Sequence, residues 1–154
     1  GETPILESKT FYKGSAPVVS AVDGHSIGLS ICYDVRFPEL YRCYAREQVS
    51  MMAVPSSFTY PTGEAHWELL LRARAVENQC FILAPNQIGT GAGDIQSYGN
   101  SMIIDPFGKV LKRASSTEET VLIETLDFRS QQDLRTTFPC LSHMNLTTLD
   151  ISMT

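Results

Sequence analysis

The sequence is poor in the residues that hold metals and phosphates. It has three histidines and four cysteines in 154 residues. No two cysteines have CxxC spacing, and no histidine falls near one at ligand spacing, which argues against a zinc site. Lysine and arginine number 12 against 17 acidic residues, a formal charge of -5. Without a basic stripe to neutralise phosphates, a nucleic-acid partner is not expected. No apolar run approaches the length needed to cross a bilayer, so no membrane segment is expected. The start, Gly1-Glu2-Thr3-Pro4, has neither an initiator Met nor a signal-peptide pattern and reads like the middle of a gene product. Cys43 and Cys80 sit in apolar contexts and read as buried free thiols. With no secretory signal, this suggests a reducing, cytoplasmic setting. The 43% hydrophobic content is enough for a core, and the length fits one domain or a large piece of one.

What is present centres on residues 26–40. Ile27, Leu29 and Ile31 alternate with small Gly28 and Ser30, as in a strand. The pattern breaks at Cys32. Pro38 and Glu39 then fit the first turn of a helix, where Pro needs no amide partner and a carboxylate meets the positive end of the dipole. A thiol on a strand-to-helix turn faces backbone N–H groups that can lower its pKa and hold an oxyanion. The same residue also fits a buried structural cysteine. These residues alone leave both readings open.

The order of elements reads as α/β. Residues 1–15 suggest a loop with a short extended piece at 10–12, and Glu7 reads locally as a solvated charge. Residues 17–22 form a strand, and Asp23-Gly24 signals a hairpin into the central stretch. A helix over 38–46, with Leu40, Cys43 and Tyr44 on one face, leads to a buried strand at 49–55. This strand–helix–strand spacing implies a parallel βαβ unit. Residues 56–63 read as a polar loop at the carboxyl edge, where open α/β sheets bind ligands. A helix follows from about 65 to 78, carrying an Arg74–Glu77 pair that is either a surface pair or a buried one. Further strands are expected at 80–84, 101–105, 109–112 and 120–126, with a turn at 105–108 and a long loop at 85–99. Asp127 caps a polar helix to about 136, and the tail beyond 139 has little pattern.

Four stretches together carry a resemblance. Gly28-Leu29-Ser30-Ile31-Cys32-Tyr33-Asp34-Val35-Arg36-Phe37-Pro38-Glu39-Leu40 resembles the nucleophile motif of the carbon–nitrogen hydrolase (nitrilase) superfamily. Gly63-Glu64-Ala65-His66-Trp67-Glu68, residues 72–79 and residues 97–108 agree with it in the same order. The likeness runs from about Glu7 to Pro139, leaving 140–154 as a tail of a single domain over 1–154, and is closest to the Nit branch.

The resemblance implies a four-layer αββα sandwich, of which this chain would be the rear portion. It implies hydrolysis of a small linear amide, of deaminated-glutathione or α-keto acid amide type, through a cysteine thioester. Cys32 would be the nucleophile and the amide of Tyr33 an oxyanion donor. Glu7 matches the family's additional Glu. Phe58, His66 and Trp67 lie where the family lines its pocket, although Trp67 also suits helix–sheet packing and His66 a helix-start hydrogen bond. Arg74 and Glu77 fit a structural buried pair. No metal or organic cofactor is implied, the partner is a small-molecule amide, and family members are commonly dimers. The family's base Glu and catalytic Lys lie upstream of the Glu7 segment, and no residue here matches them. The chain alone is therefore expected to be inactive or nearly so. A nitrilase-fold remnant serving as a binding or interaction module is the alternative.

Overall fold

The computed structural model describes residues 9–144. Its centre is one six-stranded sheet in the order β1-β2-β3-β4-β5-β6. Strands β1 (Val18–Val22) and β2 (His25–Leu29) form the antiparallel hairpin that Asp23-Gly24 announces. Both turn residues have positive φ, 48° and 79°, the geometry that matches strand twist in a two-residue loop. Helix α1 (Pro38–Arg46) carries the chain to β3 (Met51–Ala53), parallel to β2. A helical run then leads to β4 (Phe81–Ala84), parallel to β3. The run comprises α2 (Tyr60–Thr62), a π-turn (Gly63–Trp67) and α3 (Glu68–Asn78). Strands β5 (Met102–Ile104) and β6 (Val110–Arg113) complete the sheet as an antiparallel hairpin. Helix α4 (Phe128–Thr137) closes the described fold, with Asp127 Oδ1 accepting from the Ser130 amide at 3.0 Å.

The two faces of the sheet differ. On one, Met52, Ile82 and Ile104 are buried with Tyr41 and Tyr44 of α1, Trp67, and Leu71 and Ala75 of α3. Gly28 permits this approach, because a Cβ there would lie 2.7 Å from the Tyr44 ring. With side chains alternating along a strand, Leu29 and its partner Val18 point to the other face, where they remain 42% and 55% exposed. Val22 is also exposed there. Phe81 on this face is covered, its ring 5.5 Å from that of Phe128 in α4, which also stacks on His25 at 3.6 Å. The described residues thus form one sheet with its helical layer, one half of the four-layer sandwich that the resemblance implies.

Helix α4 is fastened across the amino ends of the parallel strands. Gln131 Nε2 donates to the carbonyls of Ser50 and Gln79 at 2.8 and 2.9 Å. Arg135 Nη2 donates to Val49 and Gln79 at 2.8 and 3.0 Å. Burial lowers the pKa of Arg135 and pushes the neighbouring Cys80 thiol up to about 12.

Several expectations need correction. Residues 120–126 alternate as expected but form no strand, and Val121 and Ile123 are 82% exposed. Alternation sets which side chains share a face, but a strand also needs backbone pairing; this segment touches the edge strand β6 through the Lys112–Glu124 ion pair at 3.8 Å and forms no ladder with it. In the loop, residues 10 and 11 take a turn and a bend instead of the extended piece expected there, and Phe11 and Tyr12 are exposed. The second crossover helix begins at Tyr60 rather than 65, since Pro61 fits a first turn and Thr59 and Thr62 join hydroxyls at 3.0 Å. Cys43 is exposed, not buried. The buried stripe of α1 is Tyr41, Tyr44 and Ala45, and at about 100° per residue Cys43 points to the opposite side.

Candidate active site

Cys32 sits where the sequence pattern breaks, and the break is physical. Strand β2 ends at Leu29, and Ser30 stays in register through its amide to Ala53 O at 3.1 Å. Its hydroxyl bonds Ala53 O at 2.8 Å and the Tyr41 hydroxyl at 2.7 Å. Burial beside this contact raises the Tyr41 phenol far above its ordinary range. The Cys32 amide then donates to Pro55 O at 2.9 Å, and Cys32 itself adopts φ 46°. That left-handed conformation costs a non-glycine residue about 1–2 kcal/mol, strain of a kind that clusters at functional sites. Cys32 opens a tight helical turn (Cys32–Arg36) that leads into α1.

The hydrogen bonds of this turn are unevenly shared. Asp34 accepts from the Ile31 amide at 2.9 Å and donates its own amide to Ile31 O at 3.0 Å. Phe37 donates to Asp34 O at 3.0 Å. Among the described residues, the Tyr33 N–H meets no acceptor. An unengaged amide next to the thiol is what an oxyanion donor requires.

Loops from three strands meet at this carboxyl edge. Asn86 joins them, accepting from the Phe58 amide at 3.0 Å and donating to Gly99 O at 2.6 Å. Phe58 is buried, with Trp67 beneath it at 4.8 Å. Trp67 is fully buried and its indole N–H donates to Asn100 O at 2.8 Å. His66, on the π-turn, is exposed, and its Nδ1 lies 3.2 Å from Arg36 Nη1. The Arg36 guanidinium rests over the rings of Tyr33 and Phe58, 5.5 and 5.2 Å from their centroids.

The structure therefore brings Cys32, Tyr33, Phe58 and His66 to one edge and adds Arg36. Sequence reasoning passed over Arg36, although it stands inside the nucleophile motif, four residues after the thiol. Glu7 lies outside the described residues. Arg74 and Glu77 form a supporting pair at 2.8 Å, and Arg74 Nε donates to Val35 O at 2.9 Å, bracing the turn from behind. Among the described residues no group of three or more His, Cys, Asp or Glu side chains is placed to hold a metal ion, and no helix is long and apolar enough to cross a membrane. A cleft of about 300 Å³ lies elsewhere, lined by Phe81, Phe107 and Leu134 with Asp105 and Asp127. It contains none of the residues of the Cys32 edge.

Comparison with known proteins bears on the family and the fold. The chain is 42% identical over 140 residues to the deaminated glutathione amidase of Dictyostelium discoideum, covering 91% of this chain and 48% of that protein. It is 37% identical over 141 residues to the omega-amidase NIT2 of Mus musculus, covering 92% and 51%. Among solved structures, Nit3 of Saccharomyces cerevisiae, a member of branch 10 of the nitrilase superfamily, superposes with a TM-score of 0.80 at 33% identity. That superposition covers 92% of this chain and 50% of Nit3. The chain thus spans about half the length of these relatives. With the carbon-nitrogen hydrolase family model matching residues 2–136, over a sheet and a cysteine turn of the kind that the motifs imply, the chain belongs to the carbon-nitrogen hydrolase family.

Proposed function

We propose that the Cys32 edge is the reacting centre of a Nit-type amidase acting on a small linear amide. The observation that carries this reading is the turn itself, a thiol in a left-handed conformation beside an unengaged amide. The Cys32 sulfur attacks the amide carbonyl carbon, and the carbonyl electron pair moves to oxygen, which the Tyr33 N–H receives. Collapse breaks the carbon–nitrogen bond, and the nitrogen leaves as ammonia once it takes a proton. Water then attacks the thioester, releasing the acid and restoring the thiol. The proton transfers need a base, and in the family a Glu serves, with a Lys as second oxyanion donor. No residue of this sequence matches either one, so activity depends on where they are supplied. Glu7 is proposed to help hold that Lys and the substrate in place.

The half-buried Arg36 guanidinium suits a substrate carboxylate. Deaminated glutathione and α-keto acid ω-amides both carry one, and a guanidinium offers it planar paired donors. Phe58 forms the apolar wall below. The reading extends to a homodimer formed near α1 and the tail, and to a cytoplasmic setting.

A second reading is favoured by the open sheet face and the unmatched base and Lys: a nitrilase-fold module that binds without catalysing. Ammonia release from α-ketoglutaramate and deaminated glutathione separates the two. The chain alone is expected to turn over neither. Supplied with a segment bearing the family's Glu and Lys, it is expected to release ammonia, and Cys32→Ala is expected to abolish that release. Ordinary turnover by the chain alone would overturn the dependence on that segment. Failure of the combined sample would leave the binding module.

A further inference from the structure

A guanidinium on a long side chain is a poor receptor unless something fixes its direction. The rings of Tyr33 and Phe58, with centroids 5.5 and 5.2 Å from Arg36 Cζ, hold the guanidinium in place by cation–π attraction, which does not by itself fix the direction of its N–H groups. In-plane direction is set by hydrogen bonds at the guanidinium edge, and the bond that the structure shows there runs from Nη1 to His66 Nδ1 at 3.2 Å. Among the described residues no carboxylate pairs with Arg36.

We propose that His66 is a positioning residue that aims the Arg36 guanidinium at the Cys32 rim to receive a substrate carboxylate, an inference that rests on the Arg36 reading above. A neutral imidazole whose other nitrogen carries the proton accepts at Nδ1 without cancelling the guanidinium charge. An aspartate or glutamate in its place would aim the group equally well but would neutralise it. The local fold supports the role. The wide π-turn, Gly63–Trp67, carries the imidazole outward. Its two ends are pinned. A Cβ on Gly63 would lie 2.2 Å from the Tyr98 ring, and Trp67 is anchored by its bond to Asn100 O. His66 therefore stands on a fixed piece of backbone although its side chain is exposed.

Charge at the Cys32 rim can be read without turnover, by comparing alkylation by anionic iodoacetate with that by neutral iodoacetamide. In both reactions a sulfur–carbon bond forms and iodide leaves. Peptide mapping resolves Cys32 from exposed Cys43, which serves as the reference, and labelling of buried Cys80 reports any unfolding. The ratio of the two rates at Cys32 is expected to exceed that at Cys43. Arg36→Gln is expected to lower it about fivefold, as for a unit charge within about 8 Å in a medium intermediate between protein and water. His66→Leu is expected to lower it about twofold or more. His66→Asn is expected to restore it, because its Oδ1 is bonded to Cγ as Nδ1 is. His66→Gln places its oxygen one bond farther out and is not expected to restore it. An unchanged ratio in Arg36→Gln overturns the Arg36 reading itself. A lowered ratio in Arg36→Gln with a wild-type ratio in both His66→Leu and His66→Gln overturns only the role of His66. If Cys80 labelling shows that His66→Leu does not fold, the Asn–Gln pair decides the question.

Discussion

Gly28 and Leu29 are neighbours on β2, and they face different worlds. Gly28 meets the ring of Tyr44 in a packed helical layer. Leu29 stands on a face that no described element covers beyond the reach of α4. One sheet therefore has a side packed like a finished interior and a side of exposed apolar residues. Stability of the described fold resides on the first. The second is an apolar patch of the kind that marks an interaction surface, and here it is the face that the family's second sheet would cover.

The sharpest way to break that contrast is to fill the closed side. Gly28→Ala places a methyl against two ring carbons of Tyr44 at 2.7 and 2.8 Å. It is expected to cost about 3 kcal/mol, read as a fall in the denaturant midpoint. A loss below 1 kcal/mol would show that the α1 layer yields and is not packed like an interior. A smaller effect is expected at the turn. Cys32→Gly should be more stable than Cys32→Ala by about 1 kcal/mol, because only glycine holds φ 46° without strain. Equal midpoints would mean that the left-handed turn relaxes in solution. The smallest effect belongs to the open side. Leu29→Ala is expected to cost less than about 1 kcal/mol while reducing light scattering at high concentration. A loss as large as that of Gly28→Ala would mean that this face is already covered in solution.

Much of the layout is written locally. Asp23-Gly24 specifies a tight hairpin, Pro38 starts α1 where it should, and Asp127 caps α4. Cys32 is visible because it interrupts an alternation. The other features depend on distance along the chain. Arg36 reads as one more charge near a helix start, and only the approach of Phe58 and His66, brought by the next crossover, gives it a place. The π-turn leaves no local mark, since Gly63 to Trp67 look like ordinary helix. Trp67 suits both pocket and packing by sequence, and the structure shows the packing, with the ring buried against Phe58. Residues 120–126 have strand composition, but composition does not provide the backbone pairing that a strand needs. Cys43 misled because its apolar neighbours in sequence lie on the other side of the helix.

The strand order has a consequence for how the chain folds. Spatial order and chain order coincide from β1 to β6, so each strand can add to an edge already formed and none waits for a later one. The parallel pairings span 24 residues from Ile27 to Met51 and 30 from Met51 to Phe81. The bonds from α4 reach back 81 and 86 residues, to Ser50 and Val49, and loop closure of that span comes at the greatest entropic cost. The sheet and its cysteine turn therefore have every pairing they need before α4 is fastened, and the clamp belongs to the last stage of folding.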